Sequence, residues 1–288
     1  MTYCVAIKLR AGLVFLADSR TNAGVDHIST FRKMTVFEHT GERFMVLLAS
    51  GNLAITQAVV QRLATPRPIG EPSVWNATNM FDAARVVGDA VRQIHKEDAE
   101  TLSAFNLEFN ANFLIGGQIR GEAPRLFNVY AAGNFIEATE ESPYFQIGES
   151  KYGKPILDRV ITPDTALDEA AKCSLVSMDS TLRSNLSVGM PLDLLVYESN
   201  AFCVSRFVTI DSSNEYYRMI SSTWGRRLRQ VFSEIPNPSW DATLIDAPNI
   251  LSGGTPPRAP LPPEIATVAP AGAMARPIQT LAGTPPKD

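Results

Sequence analysis

Cysteine and histidine are scarce, with three of each in 288 residues. Cys4, Cys173 and Cys203 are odd in number, far apart and without a CxxC pair, which argues against a disulfide framework or a thiolate zinc site. A reducing, cytoplasmic setting is the expectation. His27, His39 and His95 are scattered as well and read as surface or half-buried residues, so no metal site and no cofactor is expected. No apolar run approaches the roughly 20 residues that span a bilayer. The opening Met1-Thr2-Tyr3-Cys4-Val5 lacks the basic region and apolar stretch of a secretory signal. A formal net charge of -4 gives no electrostatic footprint for nucleic acid or an anionic membrane. There is no P-loop, so any ATP dependence would require a separate partner such as an unfoldase.

What is present is a chain 45% hydrophobic and 19% charged, enough for a sizeable core. Its first fifty residues read as strands: Thr2 to Leu9, returned by Leu13 to Asp18, then a second hairpin over Met34–Glu38 and Phe44–Ser50. Gly51 stops that strand and Asn52 can cap a helix ending by Pro66. Met80, Ala84, Val87, Val91 and Ile94 mark a helix over about 78–97. Alternation from Leu107 to Ile115, Arg125–Ala131 and Asn134–Ala138 predicts more strands. Helices follow over about 151–161 and 164–183, then a hairpin of Leu192–Tyr197 and Phe202–Thr209. A last helix over about 214–233 carries Ile220, Trp224, Leu228 and Val231 on one face.

Blocks of strands and blocks of helices, without strict alternation, predict an α+β layered fold over residues 1–235. Residues 236–288 differ: about a dozen of the 20 prolines lie there among Ala, Gly and Thr. From about residue 252 such a composition predicts disorder.

The N-terminus carries the chemical signal. Thr2 is small enough for Met1 to be removed on maturation. A terminal threonine pairs a hydroxyl nucleophile with an amine of pKa about 7.7–8.0, able to act as its own general base. Asp18 ends the strand returning alongside the first. Lys33 begins the next strand, expected beside the first two, where its charge would favour the alkoxide-like hydroxyl and pair with Asp18. At Ser50-Gly51-Asn52 a strand turns into a helix, where backbone N–H groups could hold an oxyanion.

These residues together resemble the opening of proteasome β subunits. The resemblance lies in Thr2-Tyr3-Cys4-Val5-Ala6-Ile7, in Gly12 to Gly24 with Asp18-Ser19-Arg20-Thr21-Asn22, in Lys33, and in Ala49-Ser50-Gly51-Asn52-Leu53. Within that superfamily the chain is similar to Anbu, the bacterial ancestral β-subunit group, on several runs. These are Thr21-Asn22-Ala23-Gly24-Val25-Asp26, Thr30-Phe31-Arg32-Lys33, Ile147 to Pro155 and Ser184-Asn185-Leu186-Ser187-Val188-Gly189. The resemblance implies a four-layer αββα sandwich of the N-terminal nucleophile hydrolase type. It also implies a large homo-oligomer, a ring or an open helical turn.

By the same resemblance Thr2 would be nucleophile and base, Asp18 and Lys33 would tune it, and Gly51 would donate to the oxyanion. Thr21, Asn22, Phe31, Thr35, Ala49 and Leu53 would bind substrate, and the uncharged members of that set favour a neutral or apolar side chain. The family's serine and Asp-x-x-Ser group around the amine fall here near Glu149 or Ser150 and near Asn185, Ser187 or Val188, which depart from the pattern. Three functions follow: a threonine endopeptidase acting on peptide or protein substrates, a scaffold or binding assembly of low activity, and an amidase for a small, unusual amide.

Overall fold

A computed structural model of the chain describes residues 2–23 and 27–238. Its strands are β1 (Tyr3–Leu9), β2 (Gly12–Asp18), β3 (Arg20–Ala23), β4 (His27–Thr30), β5 (Met34–His39) and β6 (Arg43–Gly51). Helices α1 (Leu53–Ala64) and α2 (Met80–Ala104) follow, then β7 (Ala111–Ile119), β8 (Arg125–Val129), β9 (Phe135–Glu137) and β10 (Tyr144–Gly148). The chain continues through α3 (Lys154–Val160), α4 (Leu167–Ser184), β11 (Leu192–Glu198), β12 (Arg206–Ile210) and α5 (Glu215–Glu234).

Two five-stranded antiparallel sheets stack face to face, ordered β10-β1-β2-β11-β12 and β5-β6-β7-β8-β9. The central strands β1, β2 and β6 are buried on both faces, which is why they read as near-continuous apolar runs. On β1, Tyr3, Val5 and Ile7 join a core with α3, α4 and α5, whereas Cys4 and Ala6 face the opposite sheet. A third core lies between the second sheet and helices α1 and α2, where Met45, Leu47 and Phe113 meet Val59, Ala84 and Val87. Three cores between four layers make the αββα sandwich. Each fully buried large side chain in them contributes about 1.5–3 kcal/mol, so a one-residue slip of β1, which exchanges its two faces, is strongly opposed.

The blocks of strands and helices follow the expected order, but sheet membership and some element limits differ. Lys33 precedes β5, and β5 belongs to the facing sheet; β2 instead pairs with β1 and β11. Lys33 therefore reaches Asp18 across the sandwich and not from a neighbouring strand. The short hairpin β3-β4 and the edge strand β10 lack a clear alternation of their own and are stabilised by their neighbours. Residues 107–110 lead into β7 without joining its ladder. Helix α2 runs to Ala104 because its last turns, rich in Lys, Glu and Asp, are solvated and carry no apolar period. The side chain of Asn22, Met1 and the Gly24–Asp26 segment lie outside the described residues, as does the proline-rich tail beyond residue 238.

Candidate active site

β1 begins immediately after Thr2, and β2 returns to end at Asp18, so the hairpin register brings the two ends together. The Tyr3 N–H donates to Asp18 Oδ1 at 3.0 Å, and the Gly189 N–H donates to Oδ2 at 3.2 Å. Lys33 Nζ lies 2.6 Å from Asp18 Oδ1 and donates to the Arg20 carbonyl at 2.8 Å. Both charged groups are withdrawn from water, Asp18 at 1% exposure and Lys33 at 9%. Burial pushes the Asp18 carboxyl above its usual range, opposed by the Lys33 ammonium and by the two backbone donors. The ladder contact from the Ala49 N–H to the Lys33 carbonyl, at 3.0 Å, anchors the lysine backbone to β6.

Gly51 ends β6 with φ of +117°, where a side chain is disfavoured and a Cβ would collide with the Asn110 carbonyl. The Asn52 N–H is taken by the Asn110 carbonyl at 2.8 Å. Alternation therefore turns the Gly51 N–H away from β7, toward the edge beyond the last β5 contact at Lys33. Asn52 caps α1, its side chain accepting from the Ala54 N–H at 2.9 Å, so the positive end of a helix opens beside that edge.

These elements surround one cleft of about 1060 Å³. Thr2, Thr21, Phe31, Lys33, Thr35, Ala49, Gly51 and Leu53 all line it, and Asp18 stands behind Lys33. Thr2 is half-buried. Ser150, Asn185 and Ser187 do not line the cleft: Ser150 offers its carbonyl to Gln146, and Asn185 and Ser187 form the loop after α4. Sequence reasoning passed over Arg20, Asn110, Asn112 and Gly148, which also line it. Gly148 has φ of +81° and lies so close to Thr2 that a Cβ would strike the Thr2 carbonyl. Only the pairing of β10 with β1 reveals this neighbour, since 146 residues separate the two positions (148 − 2) in the sequence.

Among the described residues no cluster of three or more His, Cys, Asp or Glu is placed to hold a metal ion, and no helix is long and apolar enough to cross a membrane. Cys4, Cys173 and Cys203 are free thiols. Burial pushes the Cys173 thiol up to about 11 and holds Cys4 higher still, so neither thiol is a nucleophile near neutral pH.

A four-layer αββα sandwich whose cleft opens at the head of its first strand is an N-terminal nucleophile hydrolase fold, the class to which proteasome β subunits belong. No family model and no curated protein matches the chain. Solved structures do. The Gly-1 mutant of Anbu from Hyphomicrobium sp. strain MC1 is 53% identical over 83% of this chain and 100% of its own, with a TM-score of 0.76. Anbu (ancestral beta-subunit) from Yersinia bercovieri is 50% identical over 83% and 100%, with a TM-score of 0.77. The Anbu complex from Pseudomonas aeruginosa, solved as a helical assembly, is 45% identical over 84% and 100%, with a TM-score of 0.80. This chain belongs to the Anbu family of proteasome-related proteins.

Proposed function

We propose that the protein is a threonine-type amide hydrolase, acting on peptides within a self-assembled homo-oligomer, with Thr2 as nucleophile once Met1 is removed. The observation that carries this reading is the gathering of Thr2, the Lys33–Asp18 pair and the Gly51 N–H at one cleft. The freed Thr2 amine takes the hydroxyl proton as Oγ1 attacks the scissile carbonyl. The Gly51 N–H and the helix end beside it stabilise the developing oxyanion, and the Lys33 charge stabilises the alkoxide-like oxygen. The amine then hands its proton to the leaving nitrogen, which leaves an acyl ester on Thr2. Water, deprotonated by the same amine, attacks the ester and releases the acid and the threonine hydroxyl.

Thr21, Phe31, Thr35, Ala49 and Leu53 carry no charge, although Arg20 and Arg32 line the same cleft, and this uncharged set favours an uncharged side chain beside the scissile bond. Fluorogenic peptides with an apolar residue there should be cleaved faster than those with a basic or acidic one. Intact-mass analysis before and after a β-lactone or epoxyketone probe tests the mechanism itself. The expected protein lacks Met1 and gains one probe mass, and Thr2→Ala gains none. Labelling of the alanine variant, or retention of Met1 in active protein, would sink it.

Assembly has support of its own in α5. Tyr217 and Ile220 in its first turns pack into the core, but the same stripe continues through Trp224, Leu228, Val231 and Ile235, all exposed. A helix whose apolar face stays exposed over its later turns is suited to burying it against a second copy. A second reading, a scaffold of low peptidase activity, is favoured by Ser150, Asn185 and Ser187 standing away from the cleft. Complementation of a deletion phenotype by Thr2→Ala would support the scaffold over the enzyme. The free thiols fit a reducing compartment.

A further inference from the structure

One buried carboxylate beside Thr2 has no part in the mechanism above. Glu149 follows the last residue of β10, and its N–H donates to the Thr2 carbonyl at 2.7 Å. The Tyr3–Gly148 register, extended by one residue, sets Glu149 opposite Thr2. Opposed residues in such a hydrogen-bonded pair have Cα atoms about 5.5 Å apart. Glu149 is only 6% exposed, a degree of burial that glutamates rarely reach unless paired.

Its partners are one amide and one solvated lysine. Asn185 Nδ2 donates to Oε2 at 3.0 Å, and Lys151 Nζ lies 3.5 Å from Oε1 on a side chain that is 70% exposed. Asn185 is itself fixed, accepting from the Ser187 N–H at 2.9 Å. The same loop ends at Gly189, whose N–H holds Asp18. Two acidic groups that flank the head of β1 are thus tied to one short segment after α4. A buried carboxylate with one neutral donor and one solvated lysine retains acceptor capacity and favours a cation. Removal of Met1 creates such a cation on the residue opposite it.

We infer that Glu149 is a positioning residue for the α-amine of processed Thr2, holding it as an ammonium at the back of the cleft until the pH is high enough to free it as a base. The inference rests on the proposed nucleophile. Other charged groups near this point are accounted for. Lys33 and Asp18 pair with one another, Lys151 belongs to the Glu149 loop, and the Arg20 guanidinium lies against Gly189 and donates to the Leu186 carbonyl. On α4, Asp179 and Arg183 pair with each other, and the Tyr3 hydroxyl is taken up by Ser177 and Gln146. Glu149 is the carboxylate left to meet the amine.

An opposite charge within about 4–6 Å favours an ammonium by about one pH unit or more. The test is the pH dependence of two reactions in wild type, Glu149→Gln and Glu149→Asp. The first is acylation of the α-amine by a small anhydride, located by peptide mapping, which needs no turnover. The second is labelling of Thr2 by a β-lactone. E149Q should move the midpoint of both curves down by about one unit, and E149D, which keeps the charge but withdraws it by one methylene, should fall between E149Q and wild type. An amine midpoint unchanged in E149Q overturns the inference, whatever the labelling shows. If E149Q does not fold, an unchanged midpoint in E149D does the same. A midpoint that moves while wild type resists the β-lactone upholds Glu149 and overturns the nucleophile instead. Retention of Met1 overturns both, because Glu149 would then face a peptide nitrogen.

Discussion

Replacing Lys33 by methionine keeps the stem of the side chain and removes its charge from a pair that lies out of water. Asp18 is 1% exposed, Lys33 is 9% exposed, and their charged atoms are 2.6 Å apart. The gross attraction at that separation is about 6 kcal/mol at an effective dielectric near 20. Desolvation of both groups offsets much of it, so the cost of the substitution is set by what is left behind. In the variant Asp18 keeps its donors from Tyr3 and Gly189 but has no cation, and burial, which already raises its pKa, raises it further. Its escape is to bind a proton. For a carboxyl with an unfolded pKa near 3.9, that costs at most about 4 kcal/mol at pH 7. A loss of about 3–4 kcal/mol is therefore expected at pH 7, within the range seen when one partner of a buried pair is removed. The sign of its pH dependence follows. Above pH 4 the folded variant holds a proton that the unfolded chain has released. Lowering the pH therefore stabilises the variant relative to wild type, by up to about 1.4 kcal/mol per unit, and the deficit narrows from pH 7 to pH 5. Urea melts of both proteins at pH 7, 6 and 5 measure this directly. A deficit below about 1 kcal/mol at pH 7, or one that is the same at pH 5, would refute the account of the pair.

Other perturbations test separate parts of the structure. Gly51→Ala forces a side chain into a left-handed backbone position against the Asn110 carbonyl; a loss of about 2 kcal/mol or more in a urea melt, together with loss of probe labelling, is expected. Leu228→Glu and Phe232→Glu place charges on the exposed part of α5 and should shift the sedimentation profile toward smaller species without lowering monomer stability by more than about 0.5 kcal/mol. Because Cys173 is raised from 9.0 to about 11 and burial also raises Cys4, Tyr3 and Tyr217, the fold keeps protons that the unfolded chain releases above about pH 9. Stability should therefore fall as pH rises from 9 toward 11, visible as a lower urea midpoint at pH 10 than at pH 8. In native protein at pH 8, maleimide should modify the half-buried Cys203 before the buried Cys4 and Cys173, read by peptide mapping.

Much of this was legible without coordinates because its causes are local. The apolar runs of β1, β2 and β6 and the Asn52 cap of α1 depend on residues only a few positions apart. A hairpin as tight as β1-β2 leaves little freedom in register, so Thr2 and Asp18 were bound to meet. Resemblance in Thr2, Asp18, Lys33 and Gly51 supplied the grouping of the site ahead of its geometry. Where periodicity was weak, as in β3, β4 and β10, or ended in solvated turns, as in α2, the sequence carried no signal of the element's extent. The stripe on α5 was readable, yet nothing in its spacing said that it would pack over its first turns and stand free over the rest.

The sequence by itself determined the alternating strands and the helical stripes, because each follows from side-chain period along a short stretch of chain. Which sheet receives β5, and hence that Lys33 meets Asp18 across the sandwich, was decided only by the packing of one layer on another. The same holds for Gly148 pressed against Thr2 and Glu149 buried opposite it, brought there by an edge strand more than a hundred residues downstream. Contacts of that kind arise from burial of both faces of a sheet at once, a condition on the whole core that no single segment records.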